Sequence, residues 1–114
     1  MARYAAKLLF QFRVVVAGNS GKRRLCEERI IHFAARSPRD ALKRAKRRGV
    51  AAEYTYANSS GDPVAFEFVG ILDMRRLGAE IADEEVWHDI RERLLPMERR
   101  AEILPGDDVL LERL

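Results

Sequence analysis

The chain has 114 residues, of which 47% are hydrophobic and 34% are charged, and its formal net charge is +3. This composition excludes a disordered chain, and the length fits one domain with a small hydrophobic core. The apolar runs are too short for a membrane-spanning helix, and the N-terminal residues lack the apolar core of a signal peptide. The single cysteine, Cys26, cannot form an intramolecular disulfide. We therefore expect a cytoplasmic protein that does not bind a membrane.

Two strands are predicted at the start of the chain. Every second residue from Tyr4 to Val16 is apolar, and this period of two is typical of a strand with one buried face. A turn over residues 18–21 follows, and a second strand is predicted from about Leu25 to Ala35. The two strands should pair as a long antiparallel hairpin.

A helix is predicted directly after this hairpin. Ser37 can cap its N-terminus, and Gly49 can end it in a left-handed conformation. A helix of this length is marginal alone, so it must pack on the sheet. The apolar stripe that would make this contact consists of Ala41, Leu42 and Ala45.

A second hairpin and two further helices complete the prediction. The hairpin joins strands at 50–57 and 64–73 through a polar turn. A helix is predicted over 84–95 with Asp83 as its cap, and a short helix over 97–104. The inward stripe of the 84–95 helix would consist of Val86, Trp87, Ile90 and Leu94.

The order of these elements predicts the fold class. Strand, strand, helix, strand, strand, helix favours an α+β domain with an antiparallel β-β-α-β-β sheet, one helix packed on it and a C-terminal helical extension. We expect one domain over residues 1–104, with the sheet core at 3–75 and the extension at 83–104. Residues 105–114 are interpreted as a C-terminal tail, and for residues 107–114 a docking segment is the alternative.

Three short stretches occur in a characteristic order around the first helix. They are 4–10 (YAAKLLF), 27–31 (EERII) and 68–73 (FVGILD). In this arrangement the chain resembles the small bacterial proteins grouped as domain of unknown function 4288, over about residues 4–75. The segment 96–100 is similar to an extension of some members. The resemblance implies this fold and a bacterial origin, and it transfers no activity and no catalytic residue.

Charge is distributed unevenly along the chain. Residues 1–57 hold 14 Lys and Arg against 4 Asp and Glu, whereas residues 58–114 hold 7 against 14. Such a chain can attract a charged partner through one surface and repel it through another. The candidate partner-binding residues are a basic helix (Arg36, Arg39, Lys43, Arg44, Lys46, Arg47, Arg48), a basic hairpin tip (Lys22, Arg23, Arg24) and the outer face of the second helix (Glu84, Glu85, Asp89).

The sequence predicts no catalytic, metal or cofactor site. The segment 18–22 (GNSGK) has two residues between its glycines where a phosphate loop needs four, so we interpret it as a turn. Cys26 and His32 share a strand face but would be about 20 Å apart, too far for one ion. Glu27 and Glu28 point to opposite faces of a strand and cannot form a catalytic dyad. We therefore expect no enzyme and no cofactor.

One of these two glutamates must nevertheless face the apolar side of the strand. A carboxylate there needs a cation such as Lys7, Arg13 or Arg29. We expect a structural ion pair among Lys7, Glu27, Glu28 and Arg29. If the protein were an enzyme, its site would lie at Glu27 or Glu28, because buried charges perturb pKa values.

Three functions remain open. The first is a non-catalytic protein-interaction module, in its sharpest form an immunity protein or antitoxin that occupies a toxin's site. Its partner is another protein or a second copy of this chain. The alternative is a nucleic-acid-binding accessory protein that uses the basic helix and the hairpin tip. Base-stacking sheets carry aromatic residues on an open face, for which only Tyr54 and Tyr56 are candidates. The third is an enzyme with a cleft at Glu27 or Glu28.

Overall fold

The computed structural model describes residues 1–77 and 85–114, and of residues 85–91 it describes the backbone alone. The elements are β1 (Ala2–Val14), β2 (Arg23–Ala35), α1 (Pro38–Ala51), β3 (Tyr54–Ala57), β4 (Pro63–Leu77), β5 (Glu85–Leu94), α2 (Arg100–Ile103) and α3 (Asp107–Glu112). The strands form one antiparallel sheet in the order β3-β4-β1-β2-β5. The predicted α+β class is confirmed, with a helix packed on the sheet and a helical C-terminal segment.

The long hairpin of β1 and β2 forms as predicted. Ala2 lies opposite Ala35, and Phe12 lies opposite Leu25. Because side chains alternate along a strand, this register gives the sheet two faces of different character. The face under α1, called the helix face, carries Tyr4, Ala6, Leu8 and Phe10 of β1 and Ile31 of β2. The other, called the back face, carries Leu9 and Gln11 of β1 and Cys26 and Glu28 of β2.

The helix α1 begins as predicted but ends later. The Ser37 hydroxyl accepts a hydrogen bond from the Asp40 backbone N–H at 3.1 Å, which caps the first turn. The predicted stop at Gly49 is wrong, because α1 continues to Ala51. Gly49 is buried, and a Cβ there would lie 2.5 Å from the ring of Phe68 on β4. The glycine therefore permits a close approach of helix and sheet.

The later helix end also shortens the next strand. The predicted strand over 50–57 is too long, because Val50 and Ala51 belong to α1 and β3 begins at Tyr54. β3 pairs with the first residues of β4, from Ala57 opposite Pro63 to Tyr54 opposite Phe66. The predicted second hairpin therefore forms with a short first strand.

The helix α1 covers only part of the helix face. It has 14 residues and β1 has 13, so the helix is about 21 Å long and the strand about 43 Å. α1 starts beside Ala35 and ends above Phe68, which pairs with Phe10. The part of the helix face beyond Phe10 has no helix above it in the described structure. We call this part the open end, and it consists of Phe12, Val14, Leu25, Tyr54, Tyr56, Val64 and Phe66.

The predicted helix over 84–95 is wrong. Residues Glu85–Leu94 form β5, which pairs antiparallel with β2. Three of the four apolar residues used for the prediction, Val86, Ile90 and Leu94, are four apart, and an even spacing fits one face of a strand as well as one face of a helix. Pairing with β2 therefore decides the structure, not the local pattern. The proposed cap Asp83 and the start at Glu84 lie outside the described residues.

The C-terminal segment 95–114, called the strap, wraps around one edge of the sheet. On the back face its residues Met97, Ile103 and Leu104 pack against the cluster of Leu9, Cys26 and Val69. The predicted helix over 97–104 is reduced to α2. The strap then crosses β4 at Gly70, where Leu104 contacts the backbone, and α3 reaches the helix face. The predicted tail is thus docked, because Leu110 of α3 is 1% exposed in the main core.

Candidate interaction surface

Aromatic rings dominate the open end. Tyr54, Phe66, Phe12 and Leu25 lie side by side across four strands. The ring centroid of Phe66 is 4.8 Å from that of Phe12 and 5.0 Å from that of Tyr54, and Tyr54 stacks on Tyr56 at 5.8 Å. The neighbouring rings cover Phe66, which is only 2% exposed. The outer members of this cluster, in contrast, face solvent.

The exposed part of the open end is apolar. Tyr54 is 52% exposed, Leu25 49%, Tyr56 45%, and Leu94 at the adjoining end of β5 is 41% exposed. A cavity of about 400 Å³ lies between Leu25 and Tyr56, with Phe12 as part of its wall and Ser20, Arg23 and Arg24 on the side of the hairpin tip. Contiguous apolar surface of this kind, in contrast to scattered single residues, marks interaction sites.

A groove lined with arginines leads from α1 toward the open end. Two adjoining cavities of about 310 and 220 Å³ lie between α1 and β2 and share Arg48 and Ala51. Phe33 lines the first cavity, and Arg29 and Ile31 line the second. We call this feature the arginine groove, whose helical wall consists of Arg44, Arg47 and Arg48.

The arginine groove carries positive charge that the described residues do not neutralise. Arg44 donates to Asp40 at 3.0 Å, one turn earlier on α1. The Arg36 backbone N–H and, to a smaller extent, Arg44 hold the pKa of Asp40 below its usual value. Within the described structure Arg47 and Arg48 form no hydrogen bond or ion pair with an acidic side chain. Two guanidinium groups therefore remain for a ligand.

The basic hairpin tip is divided between the two faces of the sheet. Lys22 and Arg23 are exposed, and Arg23 lies 3.6 Å from Glu92. Arg24 is only 5% exposed, and it donates to Gln11 at 3.1 Å and to Glu98 of the strap at 2.5 Å. Strand alternation places Arg24 on the back face, where it holds the strap, and part of Arg24 also lines the cavity at the open end.

The remaining predicted site residues lie apart from the arginine groove. Arg36, Arg39 and Lys43 are exposed and line neither of its cavities. Lys46 bridges to Asp107 of α3 at 2.7 Å. The expected acidic helix does not form, because Glu85 and Asp89 lie in the strand β5. Glu84 lies outside the described residues.

The adjacent glutamates of β2 have separate cationic neighbours. Glu28, 2% exposed on the back face, lies 3.1 Å from Lys7 and accepts from Arg93 at 2.9 Å. Glu27 lies 2.5 Å from Arg29, whose guanidinium carbon is 5.1 Å from the Phe10 ring centroid. Removing one partner of a buried pair leaves an uncompensated charge, so these contacts favour a structural role.

The other chemically reactive side chains of β2 are also enclosed. Burial raises the pKa of the Cys26 thiol, which keeps it protonated and unreactive. His32 is 1% exposed, and its Nδ1 lies 3.0 Å from a guanidinium nitrogen of Arg3. Among the described residues no three His, Cys, Asp or Glu side chains come close enough together to hold a metal ion.

A glutamate on β4 completes the polar part of the back face. Glu67 accepts hydrogen bonds from Arg13 at 2.7 and 3.1 Å and from Gln11 at 2.9 Å. The Arg13 hydrogen bonds hold the pKa of Glu67 below its usual value. Gln11 also accepts from Arg24, so this network connects β4 to the strap.

We expect Glu67 to make the protein's stability depend on acidic pH. Because its pKa is lower in the folded chain, its contribution is complete above the unfolded value near 4.5 and disappears as the pH falls through the folded value. Urea unfolding at pH 5, 4 and 3 should therefore show a smaller acid-induced loss of stability in Glu67→Gln than in the wild type. The exposed control Glu112→Gln should retain the wild-type slope, and an equal slope in Glu67→Gln would contradict this assignment.

Comparison with known proteins places the sheet and α1 in a family. The family model described as Domain of unknown function (DUF4288) matches residues 3–86, which contain β1 to β4 and α1. No curated protein and no solved structure matches the chain. Among the described residues no helix is long and apolar enough to cross a membrane. Because the match spans more than half of the 114 residues, the chain belongs to the DUF4288 family.

Proposed function

We propose that this protein is a non-catalytic protein-interaction module that binds its partner through the open end, with the arginine groove at the rim of the interface. The observation that carries the proposal is the uncovered apolar half of the helix face. Leu25 and Tyr56 are each about half exposed beside a cavity that a side chain could fill. Burying such surface stabilises a complex by about 25 cal/mol per Å².

The residue types of the open end and the arginine groove favour a protein over a nucleic acid as the binding partner. Tyr and Arg are enriched among the residues that dominate protein–protein binding energy. The open end and the adjoining end of β5 also expose aliphatic side chains, Leu25 and Leu94, which offer no stacking plane to a base and no charge to a phosphate. An apolar protein surface would be complementary to them.

The sharper form of the proposal is an immunity protein or antitoxin. An inhibitor of this kind needs a rigid surface and no catalytic groups of its own. The open end is built on strands, and the charge of Arg47 and Arg48, which no acidic side chain of the described residues pairs with, fits an acidic site on the partner. The partner in this form is a toxin whose functional site is acidic and bordered by apolar residues.

Affinity capture from a native lysate treated with nuclease tests the proposal. The wild type should retain a stoichiometric protein, and Leu25→Asp/Tyr56→Asp should lose it, because two carboxylates would enter the apolar interface. The matched control Val50→Asp/Val109→Asp adds the same charge at exposed apolar residues elsewhere and should retain the partner.

Two results would contradict this function. If the double variant at the open end captured as much partner as the wild type, the open end would not be the interface. If the captured material absorbed strongly at 260 nm and disappeared on nuclease treatment, the ligand would be a nucleic acid.

A further inference from the structure

The arginine groove and the open end form one continuous path along β2. The second cavity of the groove is lined by Phe10, and the next residue on that face of β1 is Phe12 in the open end. On β2 the path runs from Phe33 in the first cavity to Leu25. Eight residues of strand separate these two ends, a distance of about 26 Å.

The two ends of the path select different chemistry. Arg47 lines the cavity at the Phe33 end, Arg48 lines both cavities of the groove, and no acidic side chain among the described residues neutralises either guanidinium. Between the ends, the charge of Arg29 is engaged by Glu27 at 2.5 Å. The Leu25 end exposes Leu25 and Tyr56, and the two arginines that line its cavity are engaged, Arg23 by Glu92 at 3.6 Å and Arg24 by Glu98 of the strap. Among the described residues, the guanidinium groups without an acidic partner therefore lie in the arginine groove, and the exposed apolar surface lies at the Leu25 end.

Resting on the proposed function, we propose that the partner contributes an extended segment that is acidic at one end and apolar at the other. Its carboxylates bind Arg47 and Arg48, whose planar guanidinium groups can each donate two parallel hydrogen bonds to a carboxylate. Its apolar side chain fills the cavity between Leu25 and Tyr56. An extended chain of about eight residues spans the distance.

The length of the segment follows from the shape of the surface. A helical segment with eight residues between its acidic and apolar parts would span only about 12 Å, less than half of the path. An extended segment lies parallel to the strands, and its side chains alternate toward and away from the sheet. The partner's segment is therefore defined by its extended conformation as well as by its charge pattern.

Fluorescence anisotropy with defined probes tests this inference. The main probe is a fluorescein-labelled peptide with four Glu or Asp residues, a Gly-Ser spacer of about six residues and a Leu-Trp-Leu end, used in both sequence directions. Arg47→Glu/Arg48→Glu should weaken its binding at least tenfold. The matched control Arg39→Glu/Lys43→Glu carries the same charge change on the same helix outside the groove and should change binding less than twofold.

The apolar end and the competing ligand are tested in the same assay. Leu25→Asp/Tyr56→Asp should also weaken the peptide at least tenfold, and a thymidine dodecanucleotide should bind more weakly than the peptide. Absence of saturable peptide binding, or tighter binding of the oligonucleotide through the same arginines, would overturn the inference.

The assay separates this inference from the proposed function. If peptide binding required Leu25 and Tyr56 but not Arg47 and Arg48, the interface would stand and the acidic segment would be excluded. If binding required neither pair, both the inference and the proposed use of the open end would fail.

Discussion

Leu42→Asp should unfold the protein under conditions in which the wild type is folded. Leu42 is 7% exposed in the core between α1 and the sheet. The variant loses the burial of an apolar side chain, about 1.5–3 kcal/mol, and must in addition place a carboxylate in an apolar site, which costs several kcal/mol. The expected loss of about 4 kcal/mol or more is a large part of the stability of a small domain.

Thermal unfolding followed by circular dichroism measures this effect. The matched control is Lys43→Asp, the same new side chain at the adjacent exposed position of α1. It should lower the melting temperature by only a few degrees. A melting temperature of Leu42→Asp equal to that of the wild type would show that α1 does not pack as described.

Gly49→Val should destabilise the protein by about 3 kcal/mol, although valine is a better helix former than glycine. The cause is the close approach of α1 to β4, since a Cβ at this position would lie 2.5 Å from ring carbons of Phe68. Gly49→Ala should show the same sign with a smaller magnitude. Helix propensity alone predicts the opposite sign for both variants, so urea unfolding of the series separates the two effects.

A double-mutant cycle assigns this loss to the contact with Phe68. In a Phe68→Leu background the smaller side chain gives the new methyl groups room, so Gly49→Val should cost less than in the wild type. Equal costs in both backgrounds would place the strain elsewhere and contradict the packing of α1 on β4.

Local periodicity in the sequence was sufficient to predict the first half of the fold. The alternation of apolar residues in β1 fits only a strand, and the capping pattern at Ser37 fits only a helix start. The structure confirms the hairpin and the start of α1. The end of α1 could not be predicted, because a glycine at position 49 serves equally as a helix stop or as a close-contact site. Only the position of Phe68 on another strand distinguishes the two.

The second half of the fold depends on contacts distant in sequence. β5 was mistaken for a helix because Val86, Ile90 and Leu94 are four apart, a spacing that fits both structures, and pairing with β2 decides its conformation. The strap could not be predicted for a similar reason. α3 has six residues, too few for a clear periodic pattern, and its place follows from the burial of Leu110 against α1 and the sheet.

The candidate interaction surface was predicted only in part. The sequence placed the basic residues on the solvent side of α1, where Arg47 and Arg48 are found. It assigned Phe12 to the apolar face of β1, which the structure confirms, but it did not show that α1 ends before it reaches Phe12. The difference in rise between a helix and a strand, 1.5 against about 3.3 Å per residue, could have revealed that a 14-residue helix covers half of a 13-residue strand.

Hydroxyl-radical footprinting of the protein, free and with its captured partner, tests the central claim most directly. We expect Tyr54, Tyr56 and Leu25 to be oxidised in the free protein and protected in the complex. Met1 and Val109, which are exposed elsewhere, should be oxidised equally in both. Unchanged oxidation of Tyr56 and Leu25 in a stoichiometric complex would show that the partner binds another surface and would contradict the account.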